Sequence, residues 1–233
     1  MDKKSVKVSI YHMSEIFLYE YYVNHEDYEI SSADHAAEYV KLAEKDEQEG
    51  HTDKALQNYL KAHFENPVSA EIYHCIIKCC RQLGDLRGFY QYTLESYDYC
   101  CTRAELAGYY RNLGYYYLEN YKPELAAALY RYSIFFYKSE QAESEIEFLN
   151  KAMNRLMAQE SAQEIQRLLR KEKIPIQANQ ISLALLVKAG EEAEEKKMSG
   201  QAMDCYKMVY DLTQDEEIKN RIYRLKDNGR WDV

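Results

Sequence analysis

Glycine and proline are scarce in this sequence, with 8 glycines and 3 prolines among 233 residues. These two residues supply most tight turns, so a fold of many short strands is disfavoured. Long stretches are instead rich in alanine, leucine, glutamate, lysine and glutamine, which are good helix formers. The sequence therefore predicts an all-α chain.

No run of 18 apolar residues occurs, so no membrane-spanning helix is expected. The start, MDKKSVKVSIYHMSEIF, has no continuous apolar stretch of the kind found in a secretory signal peptide. These two features predict a cytoplasmic protein, and its six cysteines are then expected to be reduced thiols.

An excess of positive charge is also absent, because the formal net charge is -9. Affinity for nucleic acids comes mainly from lysine and arginine neutralising phosphates, so nucleic acid is excluded as an expected partner. An anionic membrane surface is disfavoured for the same reason. Hydrophobic residues at 46% and charged residues at 30% indicate an ordinary globular chain.

Motifs of catalysis are missing. The chain has no G-x-G-x-x-G, no G-x-x-x-x-G-K-[ST] and no G-x-S-x-G, and its six histidines form no metal-binding pair by spacing. Carboxylate pairs such as Glu191 and Glu192 lie in a charged stretch that indicates a solvated helix face. We expect no enzyme activity and no cofactor; an enzyme with its site in the N-terminal segment is the weaker alternative.

The cysteines are candidates for a zinc site, since Cys75, Cys79 and Cys80 are followed by Cys100 and Cys101. Zinc sites usually take ligands from C-x-x-C pairs. Here the pairs are adjacent, and adjacent helical residues point about 100° apart. The sequence favours small buried hydrophobic residues over metal ligands, so no metal is expected.

Tyrosine is abundant, with 24 copies, and the stretch YYRNLGYYYL at 109–118 places five of them around one glycine. A glycine inside a helix costs about 1 kcal/mol relative to alanine. Its presence therefore indicates a close helix crossing. The pattern Leu113-Gly114 is followed 13 residues after the leucine by Ala126, and Leu42-Ala43 is followed by Ala55 in the same way.

These patterns, Tyr110-x-x-Leu-Gly-x-x-Tyr117 with Ala126-x-x-x-Tyr130, resemble the tetratricopeptide repeat, a unit of 34 residues with two helices. The resemblance implies a right-handed superhelical solenoid of about four to five helical hairpins with a C-terminal capping helix. The predicted units are 36–69, 70–106, 107–140, 143–176 and 180–214, and the capping helix is 214–228. The register of the fifth unit (Leu186, Gly190, Ala202, Tyr206) is open by a few residues.

Residues 1–31 precede the predicted repeat domain of residues 32–233. Val6, Val8 and Ile10 alternate as in a short strand or extended arm, and residues 14–24 are apolar nearly all round. Such a segment must cover an apolar surface. We expect it to cap the exposed face of the first repeat; a plug in the groove of the solenoid is the second possibility.

Several tyrosines have a structural explanation as the filling between repeats, namely Tyr39, Tyr59, Tyr73, Tyr110, Tyr117, Tyr130 and Tyr206. Others cannot all be core residues, among them Tyr109, Tyr115, Tyr116, Tyr121, Tyr132 and Tyr137. Partly exposed aromatic residues are common at protein interfaces. Burial of most of them between wide helix faces is the alternative.

The resemblance implies that the fifth and ninth positions of each unit line a concave groove. In the middle units this gives His74, Lys78, Arg111 and Tyr115, and one further turn adds Arg81, so the middle of the groove is basic and aromatic. A protein or peptide with an acidic or aromatic segment would suit it. Val40 and Glu44 stand where chaperone-binding members of the family carry a lysine and an asparagine, so that activity is not carried over.

The sequence thus predicts a non-catalytic interaction module, meaning an adaptor, scaffold or peptide-binding regulator. The alternative is a structural subunit that forms a homodimer through exposed tyrosines.

Overall fold

The computed structural model describes residues 5–23, 27–152 and 160–228. These residues form twelve α-helices and one small sheet, which confirms the all-α class. The strands β1 (Val6–Val8) and β2 (Tyr28–Ile30) pair in parallel, with Val6 opposite Tyr28 and Val8 opposite Ile30. The helices are α1 (Met13–Tyr22), α2 (His35–Gln48), α3 (Thr52–Glu65), α4 (Ala70–Gln82), α5 (Leu86–Ser96), α6 (Arg103–Glu119), α7 (Pro123–Phe136), α8 (Glu140–Ala152), α9 (Ala162–Lys171), α10 (Gln180–Glu195), α11 (Ser199–Thr213) and α12 (Glu216–Asn228).

The chain divides into two compact units. The terminal unit is Met1–Asp85 together with Gln180–Val233, and the central unit is Leu86–Asn179. The first boundary falls inside the predicted second repeat, 70–106, and the second falls at the start of the predicted fifth repeat.

Helix starts follow the capping signals in the sequence. Ser69 caps α4, and the capping boxes at Thr102 and Ser161 are both formed, each with a glutamate three residues later. The sequence has the same pattern at Thr213 with Glu216 and predicts a third capping box there, but this prediction is wrong. Thr213 is the last residue of α11, and Asp215 instead accepts a hydrogen bond from the backbone N–H of Glu217 at 2.7 Å.

In the central unit, α6 and α7 form the predicted hairpin, and both α8 and α9 pack against α7. Tyr117 and Tyr130, which the sequence predicts to pack between repeats, lie with Ala126 and Leu149 in one apolar cluster. They therefore connect the crossing of α6 and α7 to α8, as expected. Residues 153–159 of the predicted fourth unit lie outside the described residues.

In the terminal unit, α2 and α3 form one hairpin with α4 against α3, and α10 and α11 form another with α12 against α11. Ala43, Gly114 and Gly190 each precede a buried tyrosine by 16 residues: Tyr59, Tyr130 and Tyr206. The same spacing aligns Gly190 of the predicted fifth unit with Gly114. Leu186 then stands where Tyr110 does.

The N-terminal segment packs differently from the expectation that it caps the first repeat. α1 lies against α10 and α11. Its backbone N–H at Met13 donates to Gln201 at 2.8 Å, and the Tyr22 hydroxyl is 2.8 Å from the Ser182 hydroxyl. Before α1, the N–H of Ser9 donates to the carbonyl of Glu65 at 2.8 Å. The segment therefore contacts both the first and the last hairpin of the terminal unit.

Leu42 departs from the repeat pattern because its side chain is 51% exposed, whereas Leu113 at the matching position is 1% exposed. In stacked hairpins such a leucine packs on a neighbouring repeat. α1 packs on α10 and α11, and the Leu42 side chain stays largely exposed among the described residues.

The six tyrosines with an uncertain role divide evenly between buried, half-buried and exposed positions. Tyr109 and Tyr132 are buried, while Tyr115 and Tyr116 are half-buried. Tyr116 stacks on Tyr90 with ring centroids 3.8 Å apart. Only Tyr121 and Tyr137 of the uncertain set named above are exposed, at 93% and 56%. The burial alternative therefore holds for Tyr109 and Tyr132, whereas Tyr121 and Tyr137 have the exposure that the interface alternative requires.

Candidate interaction site

A pocket of about 330 Å³ lies in the terminal unit, between α2, α4 and the N-terminal segment. Each wall contributes residues about one turn apart. They are Tyr11 and Glu15 from the N-terminal segment, Val40 and Glu44 from α2, and Ile72 and Cys75 from α4. Val40 and Glu44 occupy the positions for which the sequence predicts an inward orientation, so the predicted lining of the first repeat and this pocket coincide.

Two long-range hydrogen bonds hold the walls together. The N–H of His35 donates to the Ser9 hydroxyl at 3.2 Å, which fixes the start of α2 beside the N-terminal segment. The amide nitrogen of Asn66 donates to a Glu15 carboxylate oxygen at 2.8 Å. Ser9 and Asn66 are both buried, so these bonds satisfy polar groups that water does not reach.

Acidic side chains outnumber basic ones in the pocket, because Glu15, Asp34, Glu44 and Glu71 face a single lysine, Lys41. Two of the four carboxylates accept hydrogen bonds that stabilise helix starts. Glu15 accepts hydrogen bonds from the backbone at the start of α1, and Asp34 accepts one from the N–H of Ala37 at 2.9 Å. Carboxylates at helix starts are favourable because they match the helix dipole.

Glu44 and Glu71 are different, since neither forms a hydrogen bond or an ion pair among the described residues. Both are exposed at the pocket mouth, one on α2 and one on α4. Burial raises the pKa of the Cys75 thiol, and the carboxylates of Glu47 and Glu71 raise it further. The thiol is therefore mostly protonated at neutral pH, unlike the activated cysteine of a catalytic site.

Glu47 lies one turn beyond Glu44 and joins three helices. Its carboxylate accepts a hydrogen bond from the Tyr59 hydroxyl at 3.1 Å on α3. It also pairs with the ammonium group of Lys78 on α4, at 2.9 Å. The hydrogen bond to Glu47 raises the pKa of Lys78. Sequence reasoning missed Glu47, although it follows Glu44 by three residues on the same helix.

The other predicted groove residues of the terminal unit are His74 and Arg81, which lie exposed on α4 with Lys78. Their spacings of four and three residues place all three on one side of that helix. None of them lines the pocket, which uses the neighbouring Cys75 instead. Lys78 already forms an ion pair with Glu47, so its ammonium group is less available to a partner than the sequence predicts.

Arg111 and Tyr115 belong to the central unit, both on α6. The Arg111 side chain is half-buried, and its Nη1 atom is buried without a hydrogen-bond partner. Burial lowers the pKa of this guanidinium. Tyr115 packs its ring edge-on against Phe89, with centroids 5.1 Å apart. Arg111 is thus the predicted site residue whose hydrogen-bonding capacity is left unused within the protein.

One group among the described residues has the spacing of metal ligands. The donor atoms of Asp46, Glu49 and His51 lie within 4.8 Å of one another. The group lies around the turn between α2 and α3 and is largely exposed. Asp46 already accepts from Asn58 at 2.8 Å, and Glu49 lies 3.9 Å from Lys45. These contacts indicate a surface ion-pair cluster. The six cysteines are free thiols, of which Cys75 is half-buried and the rest are buried.

The chain matches no protein-family model, and no curated protein is detectably similar to it. No helix in the described part of the chain is both long and apolar enough to cross a bilayer. What the fold and the site define is an all-α protein with packed helical hairpins and a pocket between α2, α4 and the N-terminal segment.

Proposed function

We propose that the protein is a non-catalytic interaction module of the tetratricopeptide type, which binds a protein or peptide segment along the inward faces of its first helices. The observation that carries the proposal is the pocket between α2 and α4. It lies at Val40 and Glu44, the positions that the repeat pattern assigns to the groove. A cytoplasmic location is part of the same proposal, and it agrees with six free thiols.

The composition of the pocket supports recognition over catalysis. Its walls combine apolar side chains such as Val40 and Ile72 with polar groups around the mouth, as in binding sites generally. Its one thiol has a raised pKa, and the carboxylates of Glu15 and Asp34 are engaged in helix capping. No pair of groups in it has the arrangement of a nucleophile with a neighbouring base.

A random peptide library tests the proposal. Val40→Trp fills the pocket and is expected to lower library binding at least about tenfold, whereas the wild-type chain retains peptides. Leu42→Trp is the matched control, because Leu42 lies on the same helix, is 51% exposed and does not line the pocket. It should change binding by less than about twofold. Equal binding by wild type and Val40→Trp would overturn the proposal.

Self-association is a second candidate, and the exposed aromatic residues favour it. Phe64 in the terminal unit is 70% exposed and Tyr121 in the central unit is 93% exposed. Large exposed aromatic residues commonly mark protein contacts. Sedimentation over a range of concentrations decides between the candidates. A dimer that Phe64→Ser or Tyr121→Ser dissociates would support self-association, and a monomer at all concentrations would reject it.

A further inference from the structure

The pocket has a surplus of negative charge that helix capping does not explain. The carboxylates of Glu15 and Asp34 accept hydrogen bonds from backbone N–H groups at the starts of α1 and α2. At the start of α4, the Ser69 hydroxyl accepts a hydrogen bond from the N–H of Ile72. The partial positive charge of each helix start is about half an elementary charge. These charges offset the capping carboxylates in part, and the start of α4 likewise offsets part of the charge of Glu71 in its first turn, while Glu44 stands in the third turn of α2, beyond their reach.

The two carboxylates without partners share the pocket with apolar side chains. Glu44 and Glu71 lie exposed on different helices, and Val40, Ile72 and Ala36 line the same pocket. Lys41 is exposed on α2 and forms no ion pair among the described residues, so it reduces the negative charge without cancelling it.

This arrangement matches one kind of side chain. Lysine and arginine carry a positive group on a long apolar stem, and the stem can lie on apolar surface while the charge stays near solvent. An arginine can also bridge two carboxylates through its several N–H groups. A glutamate or aspartate at the same place would face Glu44 and Glu71 as a like charge.

We propose that the pocket between α2 and α4 binds a lysine or arginine side chain of the partner peptide, with its charged end at Glu44 and Glu71 and its stem over Val40 and Ile72. This rests on the proposed function, because it names the partner's chemistry at the same site. It differs from the acidic partner predicted from His74, Lys78 and Arg111, because that set does not line the pocket.

Cys75 allows the charge of the pocket to be measured without any partner, since it is the half-buried cysteine of the six and lines the pocket. The probes are two methanethiosulfonates that form a mixed disulfide with the thiol and release methanesulfinate. One carries a trimethylammonium group and the other a sulfonate. Their rate ratio at Cys75, divided by the ratio for 2-mercaptoethanol, reports the local potential and cancels the raised pKa of the thiol.

The cationic reagent is expected to react faster by about tenfold or more after this correction. Glu44→Gln combined with Glu71→Gln should lower the ratio about tenfold. Glu195→Gln with Asp227→Asn removes the same charge from exposed sites outside the pocket and should leave the ratio within about twofold. Cys75→Ser measures the background from the buried thiols. A corrected ratio near one in the wild type would overturn the inference.

The preference for a basic side chain is tested with a peptide library in which one position at a time is fixed as lysine, arginine, glutamine or glutamate. Lysine or arginine should exceed glutamate by at least about tenfold at one position, and the double glutamine variant should abolish this preference. If Val40→Trp blocks binding but no basic residue is preferred, this inference fails and the proposed function stands. If Val40→Trp has no effect, the proposed function itself fails.

Discussion

Gly114 lies directly under the ring of Tyr130, so that a Cβ atom on the glycine would be 3.0 Å from Cε1 of the tyrosine. Gly190 and Tyr206 repeat the relationship more tightly, at 2.5 Å. In each hairpin the absence of a side chain on the first helix makes room for a buried phenol on the second. The tyrosine-rich stretch around a helical glycine is therefore a packing device.

Alanine at these glycines tests this relationship. Gly190→Ala should destabilise the protein by about 1–3 kcal/mol, because the Tyr206 ring is buried and must shift. Gly114→Ala should be closer to neutral, since the clash is milder and alanine favours the helix by about 1 kcal/mol. Gly108→Ala on α6 meets only Arg111, at 3.8 Å, and should stabilise by about 0.5–1 kcal/mol. Urea unfolding measures all three, and equal effects at Gly190 and Gly108 would contradict the account.

The two leucines at matching repeat positions should differ in their contribution to stability. Leu113→Ala is expected to cost about 2–5 kcal/mol, because the side chain is 1% exposed. Leu42→Ala should cost less than about 0.5 kcal/mol, because the side chain is 51% exposed. Thermal and urea unfolding of both variants gives the comparison. A loss below about 0.5 kcal/mol at Leu113 would mean that the repeat register is wrong.

Arg111 and Arg103 on α6 form a second matched pair. Arg103 donates to the carbonyls of Phe136 and Phe135 at 2.7 and 2.8 Å, at the end of α7. Arg103→Met should therefore lower stability by about 1–3 kcal/mol. Arg111→Met removes a buried nitrogen that has no hydrogen-bond partner and should be neutral or stabilising. A large loss of stability in Arg111→Met would show that its charge is needed for folding and weaken its assignment to partner binding.

Alkaline pH should destabilise the protein through its buried tyrosines. Burial raises the pKa of Tyr28, Tyr117 and Tyr206 from 10.0 to about 12, and a hydrogen bond to a carboxylate contributes at Tyr28 and Tyr206. Below pH 10 both states hold these protons. Above it the unfolded chain releases protons that the folded chain keeps, so stability falls between pH 10 and about 12.

Phenolate absorption and far-ultraviolet circular dichroism, recorded in one titration, check this. The buried tyrosines should ionise together with the loss of helix, after a first phase from exposed residues such as Tyr121. Full ionisation of all tyrosines with helicity intact would contradict the packing described for them.

Several features could be predicted from sequence because they depend on neighbours along one helix or hairpin. The boxes at Thr102 and Ser161 involve residues three apart, and the pairing of Gly114 with Tyr130 spans one tight hairpin. The box at Thr213 failed because Gln214 takes a left-handed conformation at a φ of 55° and ends α11 there.

The sequence by itself determined the helical class, most helix boundaries and the small residues at the hairpin crossings, because these follow from propensity, capping and short-range spacing. Only the tertiary structure decided that α1 packs on α10 and α11, that Lys78 pairs with Glu47, and that Glu44 and Glu71 face one pocket. Those contacts join residues 27 or more positions apart, and no local pattern encodes which distant partner an apolar or charged face will meet.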